Sequence, residues 1–349
     1  MFRRMRKMDF FAVVLGIALG ILIDSPRASG QSRIRLATLV PRGTSIYNSL
    51  EAMGQSWRQA PNGGVSLTIY PDGVMGSEAD MVRRMRIGQI QAATLTVGGL
   101  SEIDPSVAAL QTMPMMYRSL DEAEYVRQKL EPELDKRLRD RGFVVLFWGD
   151  AGWVRFFSRK DAIRPEDFKK MKLFVTAGDS NEVDVMRKAG YNPVPLEWTD
   201  VLTSLETGLI DAVPTAPFVA LAGQFYTAAP HMLQVNWVPL VGATVITKKA
   251  WDAMPPATQQ VMLQTATETG KQIQARNRQE SDEAVEAMKK RGLQVNSLPP
   301  AEEEAWTQVA KQFYPDIRGR MVPADMFDEV ERLLAEYRAH SADNTGTSR

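Results

Sequence analysis

Few residues of this chain have the types and spacing that catalysis requires. The sequence contains no cysteine and only two histidines, His231 and His340. A thiolate nucleophile, a cysteine metal site and a paired histidine relay are therefore excluded. Asp200, Glu206 and Asp211 could supply paired carboxylates, but helical spacing places Asp200 and Glu206 on different helix faces. We predict no enzyme, and neither a metal nor a cofactor.

The turns that contain glycine or serine carry no catalytic motif either. Gly73–Gly76 and Val97–Leu100 match neither a phosphate-binding loop nor the dinucleotide fingerprint. Ser180 lacks the glycines that flank a nucleophile elbow, and its surroundings are more typical of a helix-capping box. We interpret these segments as turns and helix starts.

Aromatic residues are concentrated in the middle of the chain. Each ring alone is more typical of a packed core than of a ligand contact. Together, however, the rings lie near the predicted crossings between two lobes, and clefts between domains are mostly apolar sites for small molecules. The pattern favours ligand binding over catalysis. The residues are Trp148, Trp153, Phe156, Phe157, Phe174, Trp198, Phe218 and Trp237.

Strand and helix patterns alternate along the chain, which predicts an α/β fold with parallel strands. Chain crossings near residues 149–154 and 235–242 divide it into two lobes, and Pro255–Lys290 predicts one very long helix that braces both. We predict lobe I at residues 31–152 with about 240–265, lobe II at 153–239 with about 275–338, and a disordered tail at 339–349.

The first thirty residues predict a cleavable secretory signal peptide. A basic head precedes the apolar run Phe10–Ile23, and small residues lead to Gly30. This run is shorter than the roughly 20 residues of a membrane span, although an uncleaved anchor is the alternative. Cleavage removes five basic and two acidic residues and leaves a formal charge of −3. This balance disfavours nucleic acid as a partner.

Several segments resemble the solute-binding proteins of TRAP (tripartite ATP-independent periplasmic) transporters, the DctP-like family. The matching segments are Phe168–Phe174, Asn192–Leu196, Leu205–Ala212, Met113–Tyr117 and Val245–Trp251, and the resemblance extends from about Ile34 to Tyr337. It implies a two-lobed periplasmic-binding-protein fold with crossing hinge strands and a helix that spans both lobes. It also implies closure on one small ligand, which TRAP membrane subunits then receive.

The chain departs from the family pattern at two positions. The family motif has an arginine that binds the ligand's carboxylate where this chain has Phe174, and an asparagine where it has Thr215. Both departures predict an apolar cleft with few charged donors, because an unpaired buried carboxylate costs several kcal/mol. A simple dicarboxylate is therefore disfavoured. Arg155 lies about one position from a second arginine of some family members and could bind one carboxylate, or it could be a hinge-surface residue.

We therefore predict a periplasmic protein that binds a monocarboxylate or another relatively hydrophobic solute and delivers it to a TRAP transporter. The alternative is a periplasmic interaction or sensing protein that docks a protein partner. Aromatic residues and a proline are predicted to supply the apolar contacts with the ligand. An arginine and several hydroxyl groups are predicted to supply the polar contacts. The predicted ligand-binding residues are Phe174, Arg155, Thr215, Trp153, Trp148, Trp237, Pro214, Thr44, Ser45 and Thr96.

Overall fold

The structure is a computed structural model that describes residues 32–178 and 180–346, with side chains to 341. The predicted signal peptide lies outside the described residues. Lobe I contains a five-stranded sheet in the order β2-β1-β3-β10-β4. Its strands are β1 (Ser32–Thr38), β2 (Val65–Tyr70), β3 (Ala92–Thr96), β4 (Phe143–Trp153) and β10 (Pro239–Thr247).

Lobe II contains a six-stranded sheet in the order β11-β9-β5-β8-β6-β7. Strands β6, β7 and β8 are parallel, whereas β5 runs antiparallel to β8 and β9. The strands of this sheet are β5 (Arg155–Ser158), β6 (Lys172–Thr176), β7 (Asn192–Leu196), β8 (Ala212–Thr215), β9 (His231–Leu233) and β11 (Gln294–Asn296). The α/β alternation and the two lobes are as predicted, but the sequence reading missed β9 and β11.

Helices cover both sheets. The first six are α1 (Ser45–Trp57), α2 (Glu78–Arg86), α3 (Val97–Ser101), α4 (Leu120–Asp140), α5 (Pro165–Lys169) and α6 (Ser180–Lys188). The other six are α7 (Val201–Thr207), α8 (Pro217–Ala222), α9 (Lys248–Asp252), α10 (Pro256–Lys289), α11 (Pro300–Ile317) and α12 (Ala324–Gly346). No helix within the described ranges has the length and apolar content that a bilayer crossing needs.

The start and end of α2 show how local sequence sets these elements. The Ser77 hydroxyl accepts a hydrogen bond from the backbone N–H of Asp80, and the Asp80 carboxylate accepts one from the N–H of Ser77. This capping box satisfies donors that the first helical turn leaves free. Gly88 then takes φ +77°, a left-handed conformation that a glycine adopts without strain. Both signals are as predicted.

The C-terminal helix α12 packs differently from the prediction. It lies against α4 of lobe I, where Tyr125 donates a hydrogen bond to Glu336 and Arg338 pairs with buried Glu122. The predicted boundary, which gave residues up to 338 to lobe II, is therefore wrong for this helix. The predicted disordered tail is also helical as far as Gly346. These contacts with α4 explain why α12 carries charged side chains on the side that faces α4.

Among the described residues, the chain passes between the lobes at the step from β4 to β5, between β9 and β10, along helix α10, and again between α11 and α12. The two chain crossings are hydrogen-bonded to each other, because the Val154 N–H donates to the carbonyl of Val238 at 2.9 Å. Helix α10 supplies Met262 and Ile273 to a lobe I cluster and Met288 to a lobe II cluster. The 34-residue helix therefore braces both lobes, as predicted.

Candidate functional site

The carboxyl ends of the parallel strands of the two lobes face one another. Thr199, which follows β7 in lobe II, lies beside Gly73, which follows β2 in lobe I: a Cβ atom on Gly73 would lie 3.6 Å from Thr199 Cγ2. Phe218 at the start of α8 packs against apolar clusters of both lobes. The gap between these strand ends is the cleft, and Gly73 and Thr199 lie beside each other at its rim. Open α/β sheets bind ligands at this edge.

Strand register fixes which residues of lobe II border the cleft. Arg155 is paired with Thr215 across β5 and β8, and the pairing of β6 with β8 places Thr176 on the far side of Thr215. Because side chains alternate along a strand, these three residues share one face and form what we call the edge row. The row beneath it on the same face is formed by Phe157, Val213 and Phe174, which we call the floor row.

Phe174 lies in the middle of β6. Its ring is 3% exposed and packs edge-on against Trp198, with ring centroids 4.7 Å apart. The long side chain of an arginine at this position could extend along the sheet to the edge row. A phenylalanine is too short to do so, and its ring fills the floor beneath the edge.

Trp198 lies at the candidate site but is not among the predicted ligand-binding residues. It begins the short 3-10 helix Trp198–Asp200 directly after β7, and its side chain is partly exposed above Phe174. The neighbouring Thr199 is the residue that meets lobe I at Gly73. Trp198 therefore offers apolar surface at the rim of the cleft. In the sequence, only its position after a strand end indicates this placement.

Arg155 is the cation of the edge row. Its Nη1 donates a hydrogen bond to Asn236 Oδ1 at 2.7 Å, so the guanidinium joins the two chain crossings. Burial lowers the pKa of Arg155 to about 10, a shift that the Asp282 carboxylate on α10 opposes. In the described part of the chain no carboxylate lies within 4.0 Å of it. Arg155 is still charged at neutral pH, and this partly desolvated charge favours an anion.

The hydroxyl groups predicted from lobe I already have partners within the protein. Thr44 caps α1 and donates to the carbonyl of Pro41, and Ser45 donates to Glu280 Oε2 on α10 at 2.5 Å. The Thr96 N–H and hydroxyl both donate to Glu78, at 2.7 and 2.6 Å. The hydroxyl groups of these three residues therefore have mainly structural roles.

Burial is the dominant influence on Glu78 and raises the pKa of its carboxyl, while its hydrogen bonds from Thr96 and Gly99 oppose that shift. The carboxylate holds the start of α3 through the Gly99 N–H, at 3.0 Å. The Glu78 carboxylate therefore accepts the hydrogen bonds of the backbone N–H groups at the end of β3 in lobe I.

The remaining predicted ligand-binding residues do not lie on the face that carries the edge row and the floor row. Trp148 is 5% exposed in the core of lobe I, and its Nε1 donates to Asp135 Oδ1 on α4 at 2.9 Å. Trp237 packs edge-on against Phe156 in the cluster beneath α11. Trp153 is partly buried against the same cluster. The structure does not bring these three indoles together with Phe174.

Pro214 lies on β8 opposite Phe156, and Thr215 follows it. Because alternate residues face opposite sides of a strand, Pro214 points to the face away from the edge row. Thr215 itself is 2% exposed beside Arg155. The structure thus places Arg155, Thr215 and Phe174 on one face, with Trp198 over Phe174.

The contact between Trp148 and Asp135 predicts a pH-dependent signal. Burial raises the pKa of Asp135 to about 6, although the hydrogen bond from Trp148 opposes the shift. A carboxyl whose pKa is raised in the folded state favours folding when protonated, so its contribution to stability should fall as the pH rises from about 4 to about 6. We expect tryptophan fluorescence of the folded protein to titrate near pH 6 in wild type but not in Asp135→Asn. An unchanged titration in that variant would contradict the assignment.

Comparison with known proteins identifies the family. The family model described as bacterial extracellular solute-binding protein, family 7 (DctP), matches residues 36–319. The chain belongs to this family. Its members are periplasmic solute-binding proteins of TRAP transporters, which bind small molecules and act together with TRAP membrane subunits. Membership confirms the resemblance that the sequence motifs carried.

Relatives and solved structures agree with this assignment. The chain is 19% identical over 327 residues to the C4-dicarboxylate-binding periplasmic protein DctP of Rhodobacter capsulatus, covering 93% of this chain and 98% of the relative. Its fold is similar to that of a TRAP solute-binding protein from Ralstonia eutropha with bound (S)-2-acetolactate (TM-score 0.80, 23% identity, 88% and 99% coverage). A TRAP protein from Xanthobacter autotrophicus with bound β-D-galacturonate is similar too (TM-score 0.79, 20% identity, 86% and 99% coverage). The predicted two-lobed fold is confirmed.

Proposed function

We propose that this TRAP solute-binding protein captures a small monocarboxylate with an apolar body. In this proposal Arg155 binds the carboxylate in two hydrogen bonds, since a guanidinium fork matches the geometry of a carboxylate. The observation that carries the proposal is the half-buried, charged Arg155, which has an amide beside it and, among the described residues, no carboxylate within 4.0 Å. Thr215 of the same row could add a hydroxyl contact.

The ligands of related proteins support a carboxylate. The solved TRAP proteins similar to this chain hold acetolactate and galacturonate, and both of these ligands carry one carboxylate group. In the proposal, Arg155 takes this group at the cleft edge. The proposed ligand differs from the sugar acid galacturonate in the part of the molecule that does not carry the carboxylate.

The apolar part of the ligand is supported by the floor row and Trp198. Phe174 and Phe157 supply buried rings where an arginine of the family motif would extend a second guanidinium, and Trp198 is partly exposed above them. A second carboxylate at this position would lose its hydration without gaining a cationic partner, which costs several kcal/mol. We therefore expect discrimination against C4-dicarboxylates.

The proposal also includes export of the chain to the periplasm and delivery of the ligand to the transporter. Residues 1–30 would direct the chain to the periplasm and then be removed, and TRAP membrane subunits would receive the ligand. The role is binding and transfer without a chemical step. A protein partner held inside the cleft is disfavoured by the close approach of the two lobes at Gly73 and Thr199.

Mass spectrometry of the protein purified under native conditions tests this proposal. We expect a co-purified monocarboxylate with an aromatic or branched apolar body, released when the protein is denatured. A C4-dicarboxylate at unit occupancy would contradict the ligand chemistry but not the family assignment. A polypeptide recovered in its place would support the protein-docking alternative.

A further inference from the structure

The crossing strand β4 bends away from lobe I at a buried acidic residue. Asp150 is 7% exposed, and its Oδ1 accepts a hydrogen bond from the Gly152 N–H at 3.2 Å. Gly152 takes φ +81°, and a Cβ atom there would lie 2.9 Å from the Ser281 hydroxyl on α10. The regular pairing of β4 with β10 also shifts between Pro239 and Val241. This segment is the point where the chain passes between the lobes.

One face of α10 fastens this segment. The Gln274 side-chain amide and the Arg278 guanidinium donate to Asp150 Oδ2 at 2.8 and 3.1 Å, and Asn277 donates to the Asp150 carbonyl at 3.0 Å. One turn further on, the Ser281 hydroxyl donates to the carbonyl of Ala151. Spacings of three and four residues place these four donors on a single stripe of the helix. We call this set of contacts the hinge clamp.

The hinge clamp lies where α10 passes from one lobe to the other. Residues before it, including Ile273, pack in a lobe I cluster, and residues after it, including Ala284, pack in a lobe II cluster. Gln274 also donates to Glu124 of α4 at 2.9 Å, so the clamp is tied to lobe I. A rotation of lobe II about the crossing strands must therefore change the geometry at Asp150.

Two buried atoms of the clamp have no hydrogen-bond partner among the described residues. They are Asn277 Oδ1 and Arg278 Nε, beside the bonds that the same side chains make to Asp150. An unpaired buried polar atom is costly, so this arrangement is not the best possible for these two side chains alone. The clamp thus has the properties of an element with two arrangements.

We propose that Asp150 is a positioning residue that sets the balance between open and closed lobes. Its carboxylate pins the crossing strand to α10 in the arrangement described here, in which Gly73 of lobe I lies beside Thr199 of lobe II. Asp150 acts through the hinge and does not contact the ligand. Loss of the clamp lowers the closed fraction, and the apparent affinity for any ligand falls in proportion to that fraction.

The interlobe distance of the ligand-free protein tests this proposal. The chain has no cysteine, so Val74→Cys on lobe I and Glu206→Cys on lobe II, both exposed, accept a pair of spin labels. We expect the double-labelled wild type to show a short-distance population that matches the structure. In Asp150→Ala the ratio of short to long distances should fall about tenfold, the effect of losing charge-assisted hydrogen bonds. Asp150→Asn should lie between the two.

Glu122→Gln is the matched control for a merely structural effect. Glu122 is also a buried carboxylate paired with an arginine, Arg338, but the two lie on α4 and α12. This control should lower the thermal midpoint and leave the distance distribution unchanged. The proposal is overturned if Asp150→Ala behaves like Glu122→Gln, or if wild type shows no short-distance population.

Discussion

Replacing Arg155 with methionine is expected to abolish most of the affinity for the monocarboxylate. Methionine keeps an apolar stem of similar reach but removes the charge and every hydrogen-bond donor of the guanidinium. Truncating one partner of a desolvated charge pair costs about 2–5 kcal/mol, so we expect Kd to rise by about 30-fold to several thousand-fold. Calorimetric titration with the ligand identified by mass spectrometry measures this change.

The conservative variant Arg155→Lys separates charge from geometry. It keeps the positive charge but loses the planar fork and the bond to Asn236, so a smaller loss of affinity is expected. Arg159 serves as a control cation, since it lies on the surface near Asp211, and Arg159→Met should leave Kd unchanged. Equal affinities of Arg155→Met and wild type would show that Arg155 is a hinge residue without a role in binding.

Phe174→Arg is expected to lower stability and change ligand preference together. The ring is buried among Phe157, Val213 and other apolar side chains, so an arginine must either be buried there or extend to the edge row. The substitution should cost about 3–5 kcal/mol of unfolding free energy when no ligand is present. A dicarboxylate should restore part of this stability, because it pairs with the new charge. The native monocarboxylate should bind more weakly.

Thermal unfolding with and without succinate measures both effects. Phe174→Leu is the control, because it keeps an apolar floor and should retain the preference for a monocarboxylate while losing some packing. If succinate stabilises wild type as strongly as it stabilises Phe174→Arg, the floor row does not discriminate against a second carboxylate.

The fold could be predicted from the sequence because its signals are local. Alternating strand and helix patterns indicated parallel α/β lobes, and the capping box at Ser77 with the glycine at Gly88 fixed the limits of α2. The unbroken amphipathic pattern of α10 likewise predicted a brace between lobes. Strands β9 and β11 were missed because three residues are too few to show a period. The packing of α12 on α4 was missed because it depends on ion pairs between distant segments.

The candidate site was predictable only in part. The motif around β6 drew attention to Phe174, but strand register was needed to show that its ring lies one row beneath the cleft edge. The bond from Arg155 to Asn236 joins residues 81 positions apart, which no local pattern reveals. The same limit applies to Trp148, whose partner Asp135 places it in the lobe I core. Composition could identify aromatic residues near the crossings but not the faces that they occupy.

A crystal structure of the protein with its co-purified ligand tests most directly whether one guanidinium above an apolar floor selects the solute. We predict a single carboxylate within hydrogen-bonding distance of Arg155 and an apolar body against Trp198. A ligand whose acid group is bound by another cation, with Arg155 turned to solvent, would contradict the account.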